Sequence, residues 1–192
     1  MLCPKNNQVG LVDQTLDVGL AVKCCPDCRG TWIPSAAYES WQAGLPSLPE
    51  PNVEAVLSKN LDVDFVQSSL DTRASLCPAC GRYLSRAKVN FKTPFYVERC
   101  SSCGGIWCDL GEWDILKKLG LHTCIEQLFS SEWQARVREY QHAKRERQAM
   151  IEKLGEDLAS QVFQLAQRLE AHPDGDFGIA YLIRQFGEIK GR

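Results

Sequence analysis

The 192 residues carry 22 basic and 24 acidic side chains, a formal charge of −2 and a sequence pI of 5.9, which excludes a protein that coats nucleic acid over its whole surface and confines any such binding to a local patch. Hydrophobic residues at 44% and charged residues at 24% describe a folded chain, not a disordered one. No apolar run approaches the roughly 18 residues that span a bilayer, and the opening MLCPKNNQVG lacks a basic stretch followed by an apolar core, so the expectation is a cytoplasmic protein without membrane contact. Ten cysteines in that setting point to metal thiolates before disulfides, with zinc as the default ion.

The chain opens on Cys3-Pro4, continues through a hairpin to CPDCRGTW (Cys25 to Trp32), and then starts a short helix with Ser35 as N-cap, followed by Tyr38 and Trp41. The same order returns downstream. Cys25, Cys28, Gly30 and Trp32 lie 75 positions before Cys100, Cys103, Gly105 and Trp107, and Cys3-Pro4 lies 74 before Cys77-Pro78. One single-residue gap therefore relates two units of about 40 residues, the mark of an internal duplication. Between them, GLPSLPEPN is broken by prolines, and residues 46 to 76 carry five acidic against two basic side chains. This segment is expected to be an exposed linker with a helical turn or two around Val53 to Lys59.

In the second unit RYLSRAKVNFK alternates apolar Tyr83, Ala87, Val89 and Phe91 with basic Arg82, Arg86, Lys88 and Lys92, the period-two pattern of a half-buried strand, and FYVERC is its return strand. Asp109-Leu-Gly-Glu112 has the spacing of a capping box and starts a helix through Trp113, Ile115, Leu116 and Leu119 that Gly120 can end. From Ser131 apolar residues recur at threes and fours, predicting one long amphipathic helix to about Ala171 that Gly155 can bend. His172-Pro-Asp-Gly stops it. Asp176 can cap a final helix, and the two helices make a hairpin.

Cys77-Pro-Ala-Cys80 and Cys100-Ser-Ser-Cys103 place two thiolates in each of two turns separated by a hairpin, a set able to converge tetrahedrally on Zn²⁺. With four protein sulfurs no position is left for water or substrate, so the site stabilises a fold and does not hydrolyse anything. These residues carry a resemblance. CPAC…CSSCGGIWCDLGE is similar to the prokaryotic zinc-ribbon family named after transcription factor IIB, whose pattern is CPxC, a hairpin, then CPxCGGxWLDxGE; it covers Leu76 to about Leu119 closely and Leu2 to Trp41 loosely. The resemblance implies Cys77, Cys80, Cys100 and Cys103 as metal ligands, Trp107, Asp109 and Glu112 as framework positions, and a docking or nucleic-acid-contacting role.

The first copy departs from the pattern. Asn6 stands where Cys80 does in the second, leaving Cys3, Cys25 and Cys28, with Cys24 expected to point to the opposite face of its strand. Three readings stay open: zinc on three sulfurs plus Cys24 or a water, a metal-free unit held by its apolar residues, or a disulfide from Cys3 to Cys25 or Cys28. A water on a three-sulfur zinc is chemically conceivable as a catalyst, but no histidine or carboxylate sits at a sequence position that marks it as general base. Cys108 reads as core packing, and His122 with Cys124 as a helix-end histidine and a buried thiol; His142 and His172 are expected to face solvent.

The basic strand residues Arg82, Arg86, Lys88 and Lys92, joined by Arg99, form a patch able to meet three or four phosphates; a solvated strand face that deters edge pairing is the plain alternative. The matching strand of the first copy bears Asp13 and Asp17 and no Lys or Arg, so nucleic acid would bind the second unit only. The run Lys144 to Arg147 sits in a helix with seven charges of each sign over residues 130 to 171, a solvated face laced with i,i+4 pairs. The fold class expected is small zinc-binding α+β: tandem ribbons at 1–45 and 76–129 joined by a linker at 46–75, then a helical hairpin over 130–192. The functional expectation is a non-enzymatic zinc adaptor or regulator that docks a protein partner in transcription or RNA handling. Direct nucleic-acid binding through the second ribbon is the alternative, and the long helix offers a surface for a homodimer.

Overall fold

In the computed structural model, which describes residues 1–17, 19–46, 51–59 and 64–189, each repeat contributes three strands. The first supplies β1 (Val12–Leu16), β2 (Leu20–Cys24) and β3 (Thr31–Ile33), the second β4 (Ser85–Val89), β5 (Phe95–Arg99) and β6 (Ile106–Cys108). Neighbouring strands are antiparallel in the order β1-β2-β3-β6-β5-β4. The repeats are thus fused through their third strands into one sheet. Comparing registers refines the single gap: the first knuckle closes from Cys3 N–H to Val9 O where the second closes from Cys77 N–H to Arg82 O. One residue is inserted there, and Leu16 to Leu20, the ends of the first strand pair, are two residues closer in sequence than Val89 to Phe95 in the second. The net difference of one is what the sequence displays.

The join is self-complementary. Thr31 pairs with Cys108, Trp32 with Trp107 and Ile33 with Ile106, so equivalent residues meet across an approximate two-fold axis at the tryptophan pair, as in an isologous dimer. Each indole lies on the other repeat's glycine. A Cβ on Gly30 would overlap Trp107 Cζ2 and sit 2.9 Å from its Cε2; one on Gly105 would overlap Trp32 Cζ2 and Cη2 and sit 3.1 Å from its Cε2. The GxW echo in the sequence is therefore a contact between the repeats.

Alternation along the strands sorts side chains to two faces. Leu20, Val22, Ile33, Ala87, Val97, Ile106 and Cys108 join the main core beneath α1 (Ser35–Ala43) and α3 (Glu112–Leu119), while Trp32, Trp107 and Leu84 share the other face with the knuckle cysteines. In α1 the cap is Pro34, not Ser35 as expected; Ser35 is the first helical residue, and its hydroxyl donates to Glu39 Oε1 at 2.6 Å. The capping box before α3 is half realised. Glu112 Oε2 accepts the Asp109 N–H at 2.7 Å, but the Asp109 carboxylate accepts the Trp107 indole N–H at 2.7 Å, and Gly111 with φ 81° occupies the cap position. Gly120, φ 79°, ends α3 as expected. Tyr38 ties α1 to the segment after α3: its hydroxyl donates to His122 O at 2.8 Å and accepts the Ile125 N–H at 3.1 Å, at the start of a 3-10 helix, Ile125–Phe129.

The segment read as an exposed linker is largely folded against the sheet. Helix α2 (Val53–Ser58) is capped by Asn52, whose carbonyl accepts from Glu54 and Ala55 N–H, and buries Val53 and Val56. Phe65 packs on Phe95 with ring centroids 5.2 Å apart, and Asp71 and Ser75 are buried. Part of the proline-broken stretch, 47–50, and residues 60–63 lie outside the described residues.

Residues Met1–Val137 form one unit and Arg138–Arg192 a second. The expected single helix is two: α4 (Ser131–Leu154) and α5 (Glu156–Glu170) are separated at Gly155, whose φ of 77° and ψ of 162° break the helix outright. Trp133 and Val137 of α4 belong to the core of the first unit. In the second unit α5 packs along α6 (Gly175–Ile189), and the Arg147 guanidinium lies 4.0 Å from the Phe163 ring centroid. Only Ala159 and Gly175 are buried there among the described residues, while Leu154, Leu158, Leu165, Phe177, Ile183 and Phe186 are exposed. No described helix is long and apolar enough to cross a membrane.

Candidate metal centres

Two tight turns build the second centre. Gly81 and Gly104, both at φ 73°, let each chain reverse so that their N–H groups donate to Cys77 O at 2.8 Å and Cys100 O at 2.9 Å. The reversal presents Cys77, Cys80, Cys100 and Cys103 together, all four Sγ within 4.8 Å, with Cys77 and Cys103 3.5 Å apart and Cys80 and Cys100 3.4 Å apart. A tetrahedron of sulfurs at about 2.3 Å from Zn²⁺ has edges of about 3.8 Å, so the donor set and its spacing fit the ion. Burial pushes the Cys77 thiol up to about 12, whereas Cys100, against the same burial, is drawn down to about 7 by the N–H groups of Cys103 and Ser102. Bound zinc would hold all four as thiolates, and with four sulfurs it retains no open position.

The first centre brings together Cys3, Cys25 and Cys28, with Sγ atoms within 4.8 Å and Cys3 to Cys28 at 3.6 Å. Cys24 is not a fourth donor. Its sulfur lies 3.4 Å from Thr31 Oγ1 in the main core, on the opposite face of the sheet. Asn6 is engaged elsewhere too: Oδ1 accepts the Gln8 N–H at 3.2 Å and Nδ2 donates to Asp27 Oδ2 at 3.0 Å. No disulfide joins the three cysteines: the Cys3 and Cys28 sulfurs stand 3.6 Å apart. The three sulfurs would hold zinc with one coordination position left for a fourth ligand.

Beside the centres lies a buried ionic network that sequence reasoning did not anticipate. Lys5, next to the first knuckle, places Nζ 3.0 Å from Glu98 Oε2 and 3.9 Å from Asp109 Oδ2, and donates to Leu70 O at 3.2 Å and Arg73 O at 3.1 Å. One lysine thereby joins both repeats and the connecting segment. Asp71, Asp109 and Glu112 bring carboxylate oxygens within 4.8 Å, all buried. Burial and the Asp109 charge push Glu112 up to about 9, and burial outweighs Lys5 in raising Glu98 to about 6. Glu112 is thus drawn towards its protonated form, and its Oε1 is buried without a partner among the described residues. In the first repeat Pro34 stands where Asp109 would, and the Trp32 indole N–H is correspondingly buried without a partner.

The basic strand residues are divided by the fold. Arg86 is turned inward: it donates to the backbone carbonyls of Asp71 and Thr72, stacks 4.1 Å from the Tyr96 ring centroid and lies 3.8 Å from Glu98 Oε1. Arg99 is half-buried, with its Nε enclosed and unpartnered. Arg82, Lys88 and Lys92 are exposed along the edge formed by β4. Cys108 is buried in the core, and burial raises its thiol well above the ordinary value. His122 lies tilted against Trp41 and edge-on to Trp113, with ring centroids 5.8 and 5.9 Å away, and joins no metal-ligand group among the described residues. His142 and His172 are exposed.

Comparison with known proteins agrees with the second centre. No curated protein and no solved structure matches the chain. Residues 76–119 match the family model described as transcription factor zinc-finger, the transcription factor IIB-type zinc ribbon. That span holds all four sulfurs of the closed centre together with Trp107, Asp109 and Glu112, so residues 76–119 are a zinc ribbon of the transcription factor IIB type.

Proposed function

We propose that the protein is a non-enzymatic zinc-binding adaptor or regulator that docks a protein partner, in transcription or RNA handling. The observation that carries this reading is the second unit: a helical segment that exposes Leu154, Leu158, Leu165, Phe177, Ile183 and Phe186 while burying almost nothing of its own. Apolar surface on that scale is costly in water and marks a place for another macromolecule. The closed four-sulfur ribbon supports the same reading, because a coordinatively saturated ion holds a scaffold and offers no position to a reactant. Arg86 engaged with Asp71 and Glu98 leaves three exposed cations on the β4 edge, which does not favour phosphate recognition over docking.

The test uses the full chain with a photo-crosslinking residue at position 158 and the triple variant L154Q/L158Q/L165Q. Docking predicts a specific protein crosslink in cells that the triple variant loses while zinc content stays unchanged. A crosslink only to a second copy of the chain, with sedimentation showing a dimer, would replace the adaptor by self-association. Salt-sensitive nucleic-acid binding abolished by K88E would replace it by the nucleic-acid reading.

A further inference from the structure

The two ribbons differ in what joins their paired turns. In the second, the hydrogen-bonding contacts between the 77–80 and 100–103 turns, among the described residues, run between sulfurs only, Cys77 to Cys103 and Cys80 to Cys100. In the first, Asn6 stands in the place of Cys80 and Asp27 in the place of Ser102. Asn6 Nδ2 donates to Asp27 Oδ2 at 3.0 Å, while its Oδ1 accepts the Gln8 N–H at 3.2 Å. The amide thus bridges the two turns at the corner where the second ribbon uses a sulfur.

A further tie anchors the same turn. Lys5 takes the place of Ala79, and its side chain, 1% exposed, is held by Glu98 at 3.0 Å, by Asp109 at 3.9 Å and by the carbonyls of Leu70 and Arg73. Ala79 is exposed, and a methyl group offers no such bond. The facing turn closes through its backbone in both ribbons: Arg29, in the place of Gly104, keeps the left-handed conformation at φ 58° and donates its N–H to Cys25 O at 2.9 Å, as Gly104 does to Cys100 O. The first ribbon therefore carries two side-chain ties that its counterpart lacks, and one sulfur fewer.

We propose that the first ribbon is a site for exchangeable zinc, taking up and releasing its ion at Cys3, Cys25 and Cys28 without unfolding, whereas the ion of the second ribbon is locked into its fold. Loss of the second ion unties the 77–80 turn from the 100–103 turn. Loss of the first leaves its turns joined by Asn6 and Asp27 and moored to the second repeat by Lys5. Three sulfurs also hold zinc less tightly than four, and the coordination position they leave gives an incoming chelating ligand a way to the ion. The ligand of this site is free Zn²⁺ itself, bound reversibly.

The test mixes the zinc-loaded full chain with the chelating dye 4-(2-pyridylazo)resorcinol, whose absorbance reports each ion removed, while hydrogen exchange of the two ribbons is followed by mass spectrometry. One ion is expected to leave about tenfold faster than the other, or more. Backbone protection of the first ribbon should change less than about twofold as that ion leaves, and protection of the second should fall with the slow ion. C25S should lack the fast ion and C100S the slow one. N6C should close a fourth sulfur on the first ion and slow its departure towards that of the second. The parent and C25S decide the matter should N6C or C100S not fold. Departure of both ions in one phase overturns the proposal, as does a fast ion that persists in C25S. Loss of first-ribbon protection together with the fast ion overturns it too, and so does a loaded chain that holds a single zinc.

Discussion

Replacing Gly105 by alanine probes the join between the repeats. The added methyl would overlap Trp32 Cζ2 and Cη2 and lie 3.1 Å from Cε2. Trp32 is fully buried, so relieving the overlap requires an indole packed inside the fold to shift. Backbone strain plays no part, because the left-handed glycines of the fold are Gly19, Gly81, Gly104, Gly111, Gly120 and Gly155, not Gly105. Overpacking of this kind costs about 1–3 kcal/mol, which at a urea slope of about 2 kcal/mol per molar lowers the unfolding midpoint by about 0.5–1.5 M. Gly30→Ala should cost a similar amount through Trp107. Gly10→Ala is the control, since nothing lies within 4 Å of the added carbon; it should stay within about 0.5 kcal/mol of the parent. Trp32→Phe removes the overlapped atoms, so in the Gly105→Ala background it should be less damaging than in the parent. Urea unfolding followed by tryptophan fluorescence and circular dichroism, with zinc held constant, reads all of these. The reciprocal contact is refuted if Gly105→Ala and Gly30→Ala both unfold with the parent.

Lys5→Met leaves Glu98 and Asp109 without their nearest buried cation, and removing one partner of such a pair costs about 3–5 kcal/mol; a loss below about 1 kcal/mol in the same unfolding assay would show the network to be dispensable. Glu112 is held above its ordinary value of 4.5, up to about 9, so the stability it contributes is complete below the unfolded value and is lost as pH rises through the folded one. With excess zinc, the parent should lose up to ~1.4 kcal/mol per pH unit through this group between pH 6 and 8.5 relative to Glu112→Gln. Parallel stability curves for the two proteins would refute the buried proton. Cys24→Ala should keep the full zinc content while Cys25→Ala loses one ion, both read by metal analysis; equal losses would return Cys24 to the first centre.

The cysteine spacing made the second ribbon legible, because a CxxC turn can place its two sulfurs on one ion almost regardless of what surrounds it. Period-two alternation marked β4 for a similar reason, since it encodes burial on one face, and FYVERC followed as its return strand. The sheet's central join was invisible, since pairing of Trp32 with Trp107 depends on an axis between two segments 75 residues apart, although the repeated GxW already contained both halves of the contact. Lys5 and Asp71 gave no signal at all. A lysine in a knuckle and an aspartate in an acidic linker read as solvated groups, and only the tertiary fold buries them with Glu98, Asp109 and Arg86. Gly155 illustrates the limit of periodicity: the apolar stripe runs through it, but a φ of 77° belongs to the backbone and not to the pattern. The spacing of Asp109 and Glu112 marks the start of α3 but not its cap, because the Asp109 carboxylate is taken by the nearer indole of Trp107 and Gly111 holds the cap position.

Zinc held by cysteine sulfur is the claim on which both ribbons depend, and native mass spectrometry of the protein purified without added metal measures it most directly. The mass excess should equal two zinc ions, falling to one in C100S and to one in C25S. A folded chain of unmetallated mass, resistant to chelators and with an unchanged circular dichroism spectrum, would contradict the account.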